Sequence, residues 1–148
     1  MRLASITLIA LAVAAVSPAA AQGASPDPVR AQIEALTRRM PAGTRLLREP
    51  WTGALAQGAA TEVWIRLRAG VRYQLIPVCD RDCTEVDLRM YDAAGTEVAH
   101  ASDIDDIPIL SITPPRAGRY RMRVTMAGCA AAPCRWGVAM YGPAAAGR

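Results

Sequence analysis

The sequence predicts an all-β protein, an antiparallel β-sandwich carrying one short amphipathic helix on its N-terminal side. Three features carry that expectation. Apolar and polar residues alternate in four segments after Trp51. Clusters of Gly, Pro and Asp separate those segments, and such clusters turn the chain. A single stretch before them follows helical spacing instead.

The helix comes first. Asp27 precedes Pro28, an N-cap followed by the first-turn proline that helices accept. Val29, Ile33, Leu36 and Met40 recur at helical spacing, with Arg30, Glu34, Arg38 and Arg39 elsewhere on the wheel. Pro41 and Gly43 end the run. The stripe is expected to dock on the domain that follows, a partner-binding helix being the alternative.

Beyond Trp51 the period becomes two. Val63, Ile65 and Leu67 fall on one face, and Trp64, Arg66 and Arg68 on the other. Ala69-Gly70 turns the chain, and Tyr73 and Leu75 alternate in the next strand, with Pro77 at its end. Val86, Leu88 and Met90 then oppose Asp87, Arg89 and Tyr91. Asp92 to Gly95 is a turn before a short strand through Val98. Ile107 to Ile112 is another strand candidate, and Pro114, Pro115 and Gly118 make the next turn. Tyr120, Met122, Val124 and Met126 alternate with Arg119, Arg121, Arg123 and Thr125, and Trp136 to Tyr141 closes the set. Period-two alternation means one face buried and one wet.

The first 21 residues predict export. Arg2 is followed by an uncharged apolar run from Leu3 to Val16, a break at Ser17-Pro18, and Ala19-Ala20-Ala21 before Gln22. That is the pattern of a signal peptide, and the run is shorter than the ~20 residues that span a bilayer. No comparable run follows, so no transmembrane span is expected in the mature chain. The remaining 127 residues suffice for one domain, with residues 22–50 as an N-terminal segment and 51–148 as the sandwich. The four cysteines, Cys79, Cys83, Cys129 and Cys134, read as two disulfides in an oxidising periplasmic or secreted setting. Three pairings are open; the local pairs, Cys79 with Cys83 and Cys129 with Cys134, are favoured because each would pin one loop.

All 17 basic residues are Arg, and Lys, Asn and Phe are absent. A GC-rich coding bias accounts for this, so the Arg content is no sign of nucleic-acid binding, and export argues against it. Nine of the 13 acidic residues lie between Asp80 and Asp106, so charge is polarised along the chain.

Three segments taken in order carry a family resemblance. They are Leu67-Arg68-Ala69-Gly70-Val71-Arg72-Tyr73-Gln74-Leu75, then Val86-Asp87-Leu88-Arg89-Met90-Tyr91-Asp92-Ala93-Ala94-Gly95, then Thr113-Pro114-Pro115-Arg116-Ala117-Gly118-Arg119-Tyr120-Arg121-Met122-Arg123-Val124. Together they resemble the bacterial pre-peptidase C-terminal (PPC) domain over about Trp51 to Tyr141. The resemblance implies a compact jelly-roll-like sandwich doing accessory or binding work, without catalysis. Two features depart from the family pattern: no peptidase precedes the domain, and the two cysteine loops are not general in it.

Catalysis finds no support in the motifs. His100 is the single histidine, its nearest polar neighbours being Ser102 and Asp103, and no nucleophile-elbow, zinc-protease or phosphate-loop pattern occurs. Zinc binding by the cysteines is disfavoured by the oxidising compartment. Two other groups are candidates for binding. Asp80 and Asp82 in one loop and Asp103, Asp105 and Asp106 in another, flanked by Glu85 and Asp87, are hard oxygen donors suited to calcium. They lack EF-hand spacing, and turn capping explains them as well. Arg66, Arg68, Arg119, Arg121 and Arg123 would form a cationic face if their strands share a sheet, suited to acidic glycans or an acidic protein. The expected function is therefore a non-enzymatic binding or accessory module of the cell envelope, its partner a glycan or protein. A peptidase inhibitor or periplasmic chaperone acting through the loops is the alternative.

Overall fold

The computed structural model describes residues 27–101 and 108–144. The signal-peptide pattern of residues 1–21 and the acidic residues Asp103, Asp105 and Asp106 lie outside them. One helix, α1 (Pro28–Arg39), precedes nine strands: β1 (Thr44–Leu46), β2 (Trp51–Leu55), β3 (Ala60–Leu67), β4 (Tyr73–Cys79), β5 (Cys83–Tyr91), β6 (Glu97–His100), β7 (Leu110–Ile112), β8 (Gly118–Cys129) and β9 (Cys134–Pro143). They form two packed antiparallel sheets, as expected of an all-β sandwich. The first runs β1–β9–β4–β7 with β2 also on β9; the second runs β3–β8–β5–β6.

The alternating segments bury the faces their pattern predicts. Ile65 and Leu67 of β3, Leu88 and Met90 of β5 and Met122 and Val124 of β8 all point between the sheets, where they meet Leu75 of β4 and Val138 of β9. The turn at Asp92 is built as its sequence suggests. The Asp92 carboxylate accepts from the N–H groups of Ala94 and Thr96, both at 2.9 Å, and Gly95 takes the positive φ of 88° that the turn requires.

Two strands do not follow the one-face rule. In β4 the run Leu75 to Val78 is buried throughout, and β9 is buried from Trp136 to Gly142. The cause is α1, which covers the outer surface of the first sheet. Its Val29 and Ile33 pack on Ile76, Val78, Ala139 and Tyr141, with Leu36 and Met40 at the margin. The apolar stripe thus docks on the chain's own domain. Asp27 caps the helix by accepting from the Val29 N–H at 3.1 Å and also receives Arg135 of β9 at 2.7 Å. At the other end the Thr37 hydroxyl lies 2.8 Å from the Tyr141 hydroxyl. Close approach depends on Gly137, where a Cβ would fall 2.5 Å from Val29 Cγ1. The N-terminal segment contributes further, since β1 and β2 pair in succession with β9, Leu46 opposite Tyr141 and Trp51 opposite Val138. β1 is too short to announce itself by alternation, and in β2 the small residues Gly53 and Ala54 blur the contrast between its two faces.

The disulfides are Cys79–Cys83 and Cys129–Cys134, so the favoured local pairing is the one present. Cys83 lies directly opposite Cys129 across β5 and β8, which gathers both bridges at one end of the sandwich. Each closes a loop of about five residues, for which the chain-entropy argument gives about 2 kcal/mol. Replacing Cys79 and Cys83 together by alanine should lower the unfolding free energy by about that much, read as a shift of the urea midpoint at unchanged slope. An unshifted midpoint would mean that the native hydrogen bonds of this loop already hold it.

Candidate functional site

The outer face of the second sheet is where sequence-distant side chains converge. Strand β3 pairs with β8 in a register that sets Arg66 opposite Arg119, Trp64 opposite Arg121 and Glu62 opposite Arg123. Strand β5 continues the rows on the other side of β8, with Tyr91 opposite Arg121 and Arg89 opposite Arg123. Strand β6 ends them, with His100 opposite Arg89 and Glu97 opposite Tyr91. Three rows result: Arg66–Arg119, then Trp64–Arg121–Tyr91–Glu97, then Glu62–Arg123–Arg89–His100. Adjacent strands lie about 4.8 Å apart, so side chains within a row are in reach of one another.

Aromatic rings and guanidinium groups interleave on this face. Arg119 lies over the Trp64 ring at 4.8 Å from its centroid, and Arg121 sits between Trp64 at 6.0 Å and Tyr91 at 5.0 Å. Trp64 is nonetheless 48% exposed, one of two large apolar side chains so exposed among the described residues. Glu62 pairs with Arg121 at 3.5 Å and Arg123 at 3.6 Å, and Glu97 pairs with Arg89 at 3.0 Å. The hydrogen bond from Arg89 holds the Glu97 carboxyl below its ordinary pKa, and the same bond raises the Arg89 guanidinium. Arg66 and Arg119 have no carboxylate within 4.0 Å among the described residues. The three rows together carry five Arg against two Glu, a net positive surface.

Four of the five arginines singled out from sequence are therefore neighbours. Arg68 is not in the rows; it follows the last residue of β3, and its backbone N–H donates to the Tyr73 hydroxyl at 3.1 Å. The alternation also turned Arg89 and Tyr91 outward, but their adjacency to Arg123 and Arg121 is a matter of strand pairing. Opposed pairs such as β5 and β8, distant in sequence, leave no mark in either segment alone.

The acidic residues play a different part. The Asp80 carboxylate accepts from the Arg135 N–H at 2.7 Å, while its own N–H donates to the Arg135 carbonyl at 3.0 Å. Asp80 thus ties the β4–β5 loop to the start of β9. Asp82 is exposed, and its carbonyl accepts from Ala130 at 2.8 Å, joining the two cysteine loops. Among the described residues no three His, Cys, Asp or Glu side chains gather as a cation would require. A cavity of about 570 Å³ opens between α1 and this loop, with Asp80, Glu85, Asp87 and Arg39 among its lining residues.

His100 is exposed at the end of β6, its Nδ1 3.0 Å from Glu97. Ser102 and Asp103 are outside the described residues. No described helix is long and apolar enough to cross a membrane. The two disulfides fit an oxidising compartment. Compared with protein-family models and with curated proteins, the chain gives no match.

Proposed function

We propose that this protein is an exported, non-enzymatic binding or accessory module of the cell envelope, and that it binds through the outer face of the β3–β8–β5–β6 sheet. The observation that carries this reading is the register that sets Arg66 opposite Arg119 beside the exposed Trp64. A face that served only to meet water would gain by mixing charge signs, because like charges directly opposite one another destabilise a sheet. Export is supported by the signal-type pattern ending at Ala21 and by the paired cysteines. The resemblance of the β4, β5 and β8 segments to PPC domains supports accessory work in place of chemistry.

The test is capture from a bacterial envelope fraction by the exported protein. Recovered protein should begin at Gln22, and the wild type should retain an envelope component that the double variant Arg66→Gln/Arg119→Gln releases. Intact Met1 on the recovered protein would remove the export reading. Equal capture by both proteins would remove the face as the binding surface. A single stoichiometric protein in the capture would favour a regulator of a partner over a glycan-binding module.

A further inference from the structure

The geometry points to an acidic polysaccharide as the ligand of this face, its carboxylate or sulfate groups held by Arg66 and Arg119 beside Trp64. This rests on the reading of the face as the binding surface and adds the chemistry of what it binds. Arg89, Arg121 and Arg123 each have a carboxylate partner within the sheet, Glu97 or Glu62. Arg66 and Arg119 face each other across the strands with none among the described residues. The pair repels itself in the free protein, and an oxyanion seated between the two groups turns that repulsion into two charge-assisted contacts.

The aromatic ring decides which cation suits the task. A guanidinium stacked on an indole keeps its planar N–H edge free, so Arg119 over Trp64 is held ready for a bidentate oxyanion. Preorganisation of that kind lowers the entropic cost of ordering a long side chain on binding. Outward side chains along β8 recur about every 7 Å, and the strands beside it add cations about 5 Å away, which suits a polymer carrying charge on successive units.

A protein partner fits the surface less well. Protein interfaces have a fully desolvated apolar centre of aromatic anchors seated in pockets. Here the exposed large apolar side chains among the described residues are Trp64 and Val98 alone, and the cavities of about 570 and 460 Å³ lie beside α1, neither lined by a residue of the three rows. The face is wet and cationic.

The experiment measures binding of the full exported protein to polygalacturonate, dextran sulfate, neutral dextran and polyglutamate at fixed ionic strength. Binding to one or both acidic polysaccharides is expected, and none to dextran. The first two arms separate carboxylate from sulfate. Arg66→Gln/Arg119→Gln should weaken binding at least tenfold, while Arg38→Gln/Arg39→Gln, with the same charge change on α1, should stay within twofold. Arg119→Lys keeps the charge but loses the stacked planar edge, and should weaken binding severalfold. Thermal melts confirm that each variant is folded. Equal losses in the two double variants would reduce the effect to net charge and overturn the site. Polyglutamate binding as tight as the polysaccharides would overturn the glycan assignment. So would failure of both acidic polysaccharides to bind; if envelope capture then still depended on Arg66 and Arg119, the face would stand as a binding surface for another ligand.

Discussion

Replacing Leu75 by alanine should destabilise the protein by about 2–5 kcal/mol, and replacing Ile76, the next residue, should cost an amount in the same range. On a strand with one wet face, only one of two successive positions is sensitive. Strand β4 is different because both of its faces are covered. Leu75 is fully buried between the two sheets, while Ile76 is 2% exposed beneath α1. Leu75 should be the costlier of the two, since both sheets hold its cavity open, whereas a single helix can settle onto a shortened residue 76. A control on the open face gives the contrast: Thr125→Ala on β8 should change stability by less than about 0.5 kcal/mol. Urea unfolding of the three variants measures this. A near-neutral Ile76→Ala would mean that α1 does not stay docked in solution.

Adding a methyl group at residue 137 should have the second large effect. A Cβ on Gly137 would lie 2.5 Å from Val29 Cγ1, 3.1 Å from Ile33 Cδ1 and 3.4 Å from Val78 Cγ2. The end of Ile33 can move aside, but Val29 is β-branched in the first turn of α1 and has little rotamer freedom. The helix must therefore lift, and overpacking of this kind costs about 1–3 kcal/mol. Gly137→Ala should also expose the Arg38–Arg39 end of α1 to trypsin, because its anchoring by Thr37 to Tyr141 depends on the same seat. Trimming the opposing side chain should restore the fit in part. The double variant Gly137→Ala/Val29→Ala is expected to be more stable than the sum of the two single losses predicts, the signature of a shared contact. Simple additivity would place the strain elsewhere.

These two effects bear on the proposed binding face indirectly. The first sheet is covered by α1, so the second sheet offers the broad uncovered surface among the described residues. Its inner side is filled by Leu88, Met90, Met122 and Val124, all with at most 1% exposure. The arginines therefore stand on strands whose inward residues are tightly packed, which holds their register and their mutual spacing.

The sequence by itself determined which side chains point inward and which outward on β3, β5 and β8, where one helix would begin and end, and that Asp92 to Gly95 turns the chain. Those are local properties, set by period, capping and turn chemistry within a few residues. It also named four of the five arginines on the face. What it did not contain was who stands beside whom. Arg66 and Arg119 are 53 positions apart, and their apposition follows from β3 pairing with β8 in one register out of several that the same alternation allows. A pattern of period two specifies the buried face of a strand and is silent on its neighbour. The helix shows the same limit from the other side. Its stripe and the continuous burial of β4 and β9 were both written in the residues, Val29 and Ile33 in one place, Ile76, Val78, Ala139 and Tyr141 in others. Only the folded chain brings them together, because a seat such as the bare backbone of Gly137 has meaning only once the element that fills it has arrived.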